Sequence, residues 1–313
     1  MLRDRLLSSA VLIAATLTLL WLDIKHPLLG VPALWLIPLV LFFSLGTAFD
    51  LATMLRSSGH TINRRWIIVA TAIITLSPCV PMLWSTLHQP YPATCPIGTT
   101  GWVVVGVTAA IFLLLIREIL VYRSGGGALQ RTLGGVFASV YVGVPMATLI
   151  LIRQLGSTAG GVGPWTSAAW GVAAVVTMIA VTKAGDTGAF FTGKAVGRRK
   201  LVPRLSPGKT WEGALGGTAT AIAVSYACCY GLIPAMATVT QAPPWWGPLA
   251  FGIVCAVSGL LGDLAESLVK REAGVKDSGA WLPGLGGVWD VTDSLIGAVM
   301  PAWIMLAAGL AGY

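Results

Sequence analysis

The sequence predicts an all-α, polytopic integral membrane protein, and three observations lead to this fold class. Only 10% of the 313 residues are charged, whereas a soluble domain carries roughly 25%. Hydrophobic residues make up 56% of the chain, and they fall into runs near the roughly 20 residues that cross a bilayer. This composition excludes an ordinary soluble enzyme, a disordered protein and a secreted disulfide scaffold.

Nine stretches of the chain are apolar enough to predict about nine transmembrane helices. They cover residues 6–22, 27–49, 66–84, 101–116, 133–152, 165–182, 213–233, 245–262 and 294–310. We expect the first to be retained, because its apolar run is long and Trp21-Leu22-Asp23 is a poor cleavage site for signal peptidase.

The positions of the basic residues predict the orientation of the helices. Of the 20 Lys and Arg residues, 18 precede the first helix or follow an even-numbered one, and only Lys25 and Arg153 fall on the other side. The positive-inside rule then places the N-terminus in the cytoplasm and Tyr313 outside. The net charge of +8 therefore reflects topology, and we predict no nucleic-acid partner.

Eight of the 12 acidic residues lie from Asp186 onward, in two predicted cytoplasmic loops. The loop 183–212 carries a net charge of +5, and the loop 263–293 carries −3. Binding a polyphosphate through a divalent metal needs both kinds of loop, because carboxylates hold the metal while Lys and Arg neutralise phosphate. We therefore predict a transmembrane scaffold region at 1–132 and a catalytic region at 133–313.

The acidic loop begins with a predicted helical face. Helical spacing places Asp263, Glu266 or Ser267, and Lys270 on one side of a helix where it leaves the membrane. A surface ion pair between Asp263 and Lys270 is the alternative interpretation. Five clustered carboxylates in a chain that otherwise avoids charge favour a functional site.

The acidic loop ends with a predicted turn and two aspartates. The glycines of Pro283-Gly284-Leu285-Gly286-Gly287 permit positive φ and close backbone approach. Asp290 and Asp293 follow, three residues apart at the start of the ninth helix, so both can face the same point. Compensation of the helix dipole is the alternative interpretation of this pair.

The basic loop supplies a further candidate metal ligand and a candidate phosphate ligand. Asp186 is flanked by glycines where the sixth helix ends. Ser206 is predicted as the N-cap of the seventh helix, which puts Lys209 near its unpaired backbone amides, where phosphate is favoured. Positive-inside charge alone is the alternative, above all for Arg198, Arg199 and Lys200.

These two loops resemble those of the phosphatidate cytidylyltransferases, or CDP-diacylglycerol synthases. The signature of that family appears at its own spacing in Ser267, Lys270, Arg271, Lys276, Asp277, Pro283, Gly284, Gly286, Gly287, Asp290 and Asp293. The earlier segment, from Asp186-Thr187-Gly188 through Ser206-Pro207 to Lys209-Thr210-Trp211-Glu212-Gly213, is also similar. Two positions depart from the signature: Leu285 replaces a His, and Val291 replaces an Arg. Neither residue can bind phosphate or transfer a proton.

The resemblance implies that CTP and phosphatidate react to give CDP-diacylglycerol and pyrophosphate. It also implies Mg²⁺ as cofactor, with a second metal ion left open, and a homodimer in the inner membrane with its active site on the cytoplasmic side. The phosphate monoester of phosphatidate has a second pKa of about 6 and is a dianion at neutral pH. A strong general base is therefore not required.

The resemblance gives roles to individual residues. The predicted metal ligands or their supports are Asp186, Asp263, Asp277, Asp290 and Asp293, with Asp263 and Asp290 as direct ligands. The predicted substrate-binding residues are Lys209, Thr210, Ser267, Lys270, Arg271 and Lys276. Catalytic roles are expected of Asp263, Asp290, Lys270 and Lys209, and a supporting role of Glu266.

The sequence leaves three other classes of function open. A CTP-dependent polyprenol kinase shares the membrane setting and the nucleotide. An inactive or weakened paralogue that binds nucleotide or lipid is favoured by Leu285 and Val291. A transporter is expected to place ionisable groups near the bilayer midplane, whereas here they lie at helix ends.

Overall fold

The fold is that of a multi-pass, all-α membrane protein. The computed structural model describes residues 2–87, 89, 91–92, 94–123, 126–156, 168–237 and 242–310. Within these ranges, eight helical segments are long and apolar enough to cross a membrane. This confirms the predicted fold class, while the count of nine helices and the orientation stay predictions.

Eleven α-helices are found in the described part of the chain. In order they are α1 (Leu2–Lys25), α2 (Ile37–Ser57), α3 (Arg64–Leu76), α4 (Met82–Thr86), α5 (Trp102–Leu120), α6 (Ala128–Gln154), α7 (Ala168–Val196), α8 (Trp211–Ala227), α9 (Ile233–Met236), α10 (Trp246–Glu272) and α11 (Trp289–Ala307). The predicted starting residues 165–167 of the sixth span, and the terminal Tyr313, lie outside the described residues.

The predicted span 66–84 is not one helix in the structure. It consists of α3, a 3-10 turn at Ser77–Cys79 and the short helix α4. Pro78 and Pro81 stand at this interruption. Proline lacks the backbone N–H that a helix interior needs and clashes with the preceding turn, so the helix stops there.

The two predicted loops begin inside helices. Helix α7 continues through residue 183 to Val196, and α10 continues through residue 263 to Glu272. The rest of the basic loop forms an antiparallel hairpin of β1 (Lys200–Val202) and β2 (Ser206–Thr210). Ser206 is therefore a strand residue, and the prediction that it caps the seventh helix is wrong. Thr210 caps α8 instead, with its side-chain oxygen accepting from the Gly213 amide at 3.1 Å.

The chain forms two compact units that each combine distant segments. Unit 1 comprises Met1–Ile150 and Val269–Thr292, and unit 2 comprises Leu151–Leu268 and Asp293–Tyr313. The segment 269–292, with the predicted glycine turn, thus packs with the first helices. The predicted boundary at residue 132 divides a scaffold region from a catalytic region. This division of functions stays a prediction.

Unit 1 has an apolar core between α3, α5 and α6. Ala70 and Ile74 of α3 pack with Ala110 and Leu114 of α5, all buried. Helix α2 joins this core through a buried hydrogen bond of 2.7 Å between the hydroxyls of Ser44 and Thr75. Such a bond satisfies two polar groups that lipid cannot hydrate.

Unit 2 depends on glycines where its helices cross. A Cβ at Gly262 of α10 would collide with the carbonyl oxygen of Asp293 and lie 3.0 Å from the amide nitrogen of Gly297 in α11. A Cβ at Gly297 would collide with the carbonyl oxygen of Ser258. We call this close approach at Gly262 and Gly297 the glycine crossing. It lets two backbones come closer than helices with larger side chains can.

We expect Gly262→Ala to lower the free energy of unfolding by about 1–3 kcal/mol, because the added methyl group forces the two backbones apart. The measurement is the melting temperature of the detergent-solubilised protein. Gly231→Ala is the matched control, since a Cβ there meets nothing within 4 Å. Equal melting temperatures for the two variants would contradict the role of the glycine crossing.

Candidate active site

Three carboxylates converge in unit 2. One side-chain oxygen each from Asp263, Glu266 and Asp293 lies within 4.8 Å of the other two. We call this group the acidic cluster. Asp263 and Glu266 are on consecutive turns of α10, and Asp293 is on α11 beside the glycine crossing. The helical face predicted to begin at Asp263 is present in α10. The structure brings the side chains of Asp263 and Glu266 on this face close to Asp293, another predicted site residue.

Two lysines border the acidic cluster. The Nζ of Lys209, on β2, lies 2.7 Å from Oδ2 of Asp263. The Nζ of Lys183, on α7, donates to Oγ of Ser294 at 2.8 Å and lies 3.8 Å from Oδ1 of Asp293. Ammonium groups from two further elements therefore reduce the repulsion among the carboxylates.

Asp186 joins this network at its edge. The Ser294 hydroxyl, which accepts from Lys183, donates to Oδ2 of Asp186 at 2.8 Å. The same carboxylate oxygen lies 3.5 Å from the Lys183 ammonium. The sequence predicts no site role for Lys183, because the positive-inside rule alone explains its charge. Its spacing of three residues from Asp186 on one helix was the available signal for a closer role.

The donor set of the acidic cluster fits a divalent cation. Its oxygens are hard ligands of the kind that Mg²⁺ and Ca²⁺ take. The four carboxylates at this place and the two lysines leave a formal charge of −2, which one divalent ion neutralises. A carboxylate offers about four lone-pair sites, so Asp263 can bind a cation and Lys209 together.

Asp290 organises the glycine turn in unit 1. Its Oδ2 accepts from the Ser278 amide at 3.0 Å, the Ser278 hydroxyl at 2.7 Å and the Gly287 amide at 2.6 Å. Its Oδ1 forms an ion pair with Lys270. Asp290 is predicted as a direct metal ligand. In the structure its carboxylate is surrounded by hydrogen-bond donors of Ser278 and Gly287 and by the Lys270 ammonium group.

The turn itself has the predicted backbone geometry. Gly284 and Gly286 have φ values of 76° and 95°, a region that residues with a side chain rarely adopt. Leu282 and Gly286 exchange two backbone hydrogen bonds, of 3.0 and 3.1 Å, across the turn. Leu285, at the position of the His in the signature, lies between these two residues.

Asp50 lies beside the glycine turn, and the sequence predicts no role for it. It lies on α2, is 2% exposed, and its Oδ2 accepts from the amides of Val288 at 2.7 Å and Trp289 at 3.2 Å. The carboxylate thus caps the start of α11. Its signal was a lone acidic residue immediately after an apolar stretch, where charge is rare and usually has a partner.

The other predicted site residues take varied positions. Thr210 is buried and its side-chain oxygen accepts from Gly213 as the α8 cap, while the Ser267 hydroxyl lies 3.5 Å from Oδ1 of Asp263. Arg271, Lys276 and Asp277 have exposed side chains in unit 1. Their predicted roles toward substrate and metal stay predictions.

The sequence is that of a known family. The sequence model described as the cytidylyltransferase family matches residues 3–308. The chain belongs to this family. The resemblance carried by the two loops is thereby confirmed, over far more of the chain than the loops themselves.

Three bacterial relatives, each named phosphatidate cytidylyltransferase, show the range of similarity. The protein from Brucella suis is 38% identical over 200 residues, which is 64% of this chain and 62% of the relative. That from Haemophilus influenzae is 43% identical over 116 residues, 37% of this chain and 39% of the relative. That from Mycobacterium bovis is 30% identical over 281 residues, 89% of this chain and 82% of the relative. The chain thus spans less than two thirds of the Brucella relative's length.

We expect Asp50→Ala to leave two buried amides without an acceptor, at a cost of about 1–3 kcal/mol. Hydrogen exchange of the peptide covering 286–291 should therefore become faster. Asp50→Asn keeps an acceptor oxygen and should restore most of the protection. Ser44→Ala is the control, because it removes a buried hydrogen bond from the same helix away from the turn. Wild-type exchange in Asp50→Ala would refute the capping role.

Proposed function

We propose that the protein transfers the cytidylyl group of CTP to phosphatidate, giving CDP-diacylglycerol and pyrophosphate. Membership of the cytidylyltransferase family and the names of the bacterial relatives support this reaction. The observation that carries the proposal is the acidic cluster bordered by Lys183 and Lys209. Carboxylates and ammonium groups at one place are what a metal-bound polyphosphate requires.

Asp263, Glu266 and Asp293 would hold the cation, which we propose to be Mg²⁺. When bound, this ion neutralises phosphate charge as it develops on the leaving pyrophosphate. Asp186 would support the site through Ser294 and Lys183. Asp277 and Asp290 also stay in the proposal as metal ligands or supports, and so does the option of a second metal ion.

The lysines would bind the phosphates of the nucleotide. Lys209 and Lys183 lie beside the proposed metal ligands, so their ammonium groups can hold the β- and γ-phosphates as the α-phosphorus reacts. In the unit that contains the glycine turn, Lys270, Arg271 and Lys276 remain the proposed ligands of nucleotide or lipid phosphate. The pairing of Lys270 with Asp290 fixes the direction of its side chain.

The chemical step would need orientation more than proton transfer. A phosphate oxygen of phosphatidate attacks the α-phosphorus of CTP, and the bond to the β-phosphate oxygen breaks to release pyrophosphate. The attacking phosphate is a dianion at neutral pH, so no side chain has to remove a proton. Leu285 in place of a His is compatible with this step, because the protein's task is to position two anions.

The proposal includes the setting of the reaction. The substrates CTP and phosphatidate would meet at the cytoplasmic face of the inner membrane, with the lipid tails entering between helices. Positive-inside bias supports this side. A homodimer belongs to the proposal only through the resemblance.

The reaction is tested with purified protein, Mg²⁺, phosphatidate and CTP labelled separately at the α- and γ-phosphates. We expect the α-label in the lipid fraction and the γ-label in pyrophosphate, in equal amounts. Transfer of the γ-label to a lipid, with CDP as product, would select the kinase. Nucleotide binding without either product would select the inactive paralogue.

The metal ligands are tested by Asp263→Asn and Asp293→Asn. Each removes a charged oxygen ligand, so we expect the Mg²⁺-dependent rate to fall at least about 100-fold and calorimetry to show weaker Mg²⁺ binding. Glu272→Gln is the control, because this exposed carboxylate on α10 is outside the acidic cluster. Normal turnover in Asp293→Asn would refute the assignment.

A further inference from the structure

A second charged group lies in unit 1, at the end of α5 and the start of α6. Glu118 is 7% exposed and sits between two arginines. The Nε and Nη2 atoms of Arg131 lie 2.9 and 2.8 Å from its Oε2, and Arg117 pairs with its Oε1. None of these residues has a role in the proposed reaction.

This group has a surplus of positive charge. Two guanidinium groups share one carboxylate, which leaves a formal charge of +1. Arg131 also donates to the Gly126 carbonyl. Among the residues that the structure describes, the Arg117 guanidinium bonds only to Glu118, although it carries five N–H donors. Most of its donors therefore remain available to an anion.

The surplus charge faces a small groove. This shallow groove is lined by Asn63, Trp66, Leu114 and Thr132 together with the two arginines and Glu118. A phosphate can therefore meet the guanidinium groups at the mouth of the groove. Guanidinium groups bind phosphate through paired, charge-assisted hydrogen bonds.

The surroundings of the groove point to a lipid as the source of that phosphate. The two apolar spans Trp102–Leu120 and Ala128–Gln154 end and begin here, which is the depth of lipid headgroups. Apolar side chains beside the arginines are exposed by 51–79%, namely Ile116, Ile119, Leu120, Leu129 and Leu133. Acyl chains can cover these side chains while the phosphate lies at the mouth of the groove.

We propose that this groove binds an anionic glycerophospholipid, with the lipid phosphate held by Arg117 and Arg131. A phosphodiester with one negative charge matches the surplus of one positive charge. The proposed site shares no residue with the acidic cluster or the glycine turn, so it does not depend on the proposed function.

The test uses the full-length protein in phosphatidylcholine nanodiscs, without CTP. Fluorescent phosphatidylglycerol is the probe, because it carries the phosphodiester and is not the proposed substrate. We expect Arg117→Gln to weaken binding at least tenfold. Arg123→Gln is the matched control, since it removes the same charge from the same connection without lining the groove, and it should bind as the wild type does.

A second variant keeps the proposal testable if Arg117→Gln does not fold. Glu118→Gln removes the internal competitor for both guanidinium groups and should tighten binding in protein that elutes as a folded species. The proposal is overturned if folded Arg117→Gln binds normally, if Arg123→Gln weakens binding equally, or if Glu118→Gln does not tighten it. Displacement of the probe by millimolar sn-glycerol 3-phosphate would show a site for free phosphate esters and overturn the lipid assignment.

Discussion

The glycine crossing is the constraint on which the acidic cluster depends. Lipid tails are as apolar as helix surfaces, so helices in a membrane associate through close packing rather than through removal of apolar area from water. At Gly262 and Gly297 the absence of side chains lets the backbones meet. Asp263 directly follows Gly262, and Asp293 lies four residues before Gly297. The glycine crossing therefore holds these two side chains where their carboxylates repel one another.

That repulsion is balanced locally rather than by solvent. Lys183 and Lys209 each reach a carboxylate of the site, from a helix and from the hairpin. Carboxylates within 4.8 Å of one another disfavour each other's charged form, so this group of charges needs its cationic partners. Because a formal charge of −2 remains, a divalent cation bound at this place would stabilise the folded protein.

The N-terminal helices contribute more than a passive scaffold. Unit 1 contains both these helices and the segment 269–292 with the glycine turn. Asp50 reaches across 238 positions of sequence to cap α11, while Thr47 bonds to Thr292 at 2.8 Å. The segment 269–292, which contains Lys270, Ser278 and Asp290, is therefore built against α2. A substitution in the first helices can therefore alter the structure of segment 269–292 while the sequence of that segment stays the same.

The sequence by itself determined the fold class, the approximate spans and the residue types of the site, because apolar length, charge avoidance and motif spacing are local properties. It predicted the positive φ of the glycine turn, and it singled out Asp263 and Asp293, whose carboxylates the structure brings together. Residues that act through distant partners were beyond it: the contacts of Asp50 with Val288 and of Lys183 with Ser294 depend on which helices pack together. Pro78 and Pro81 stand at the break between α3 and α4, which the predicted continuous span 66–84 did not include. Tertiary structure decided which carboxylates meet, because that depends on how closely two glycines allow two backbones to approach.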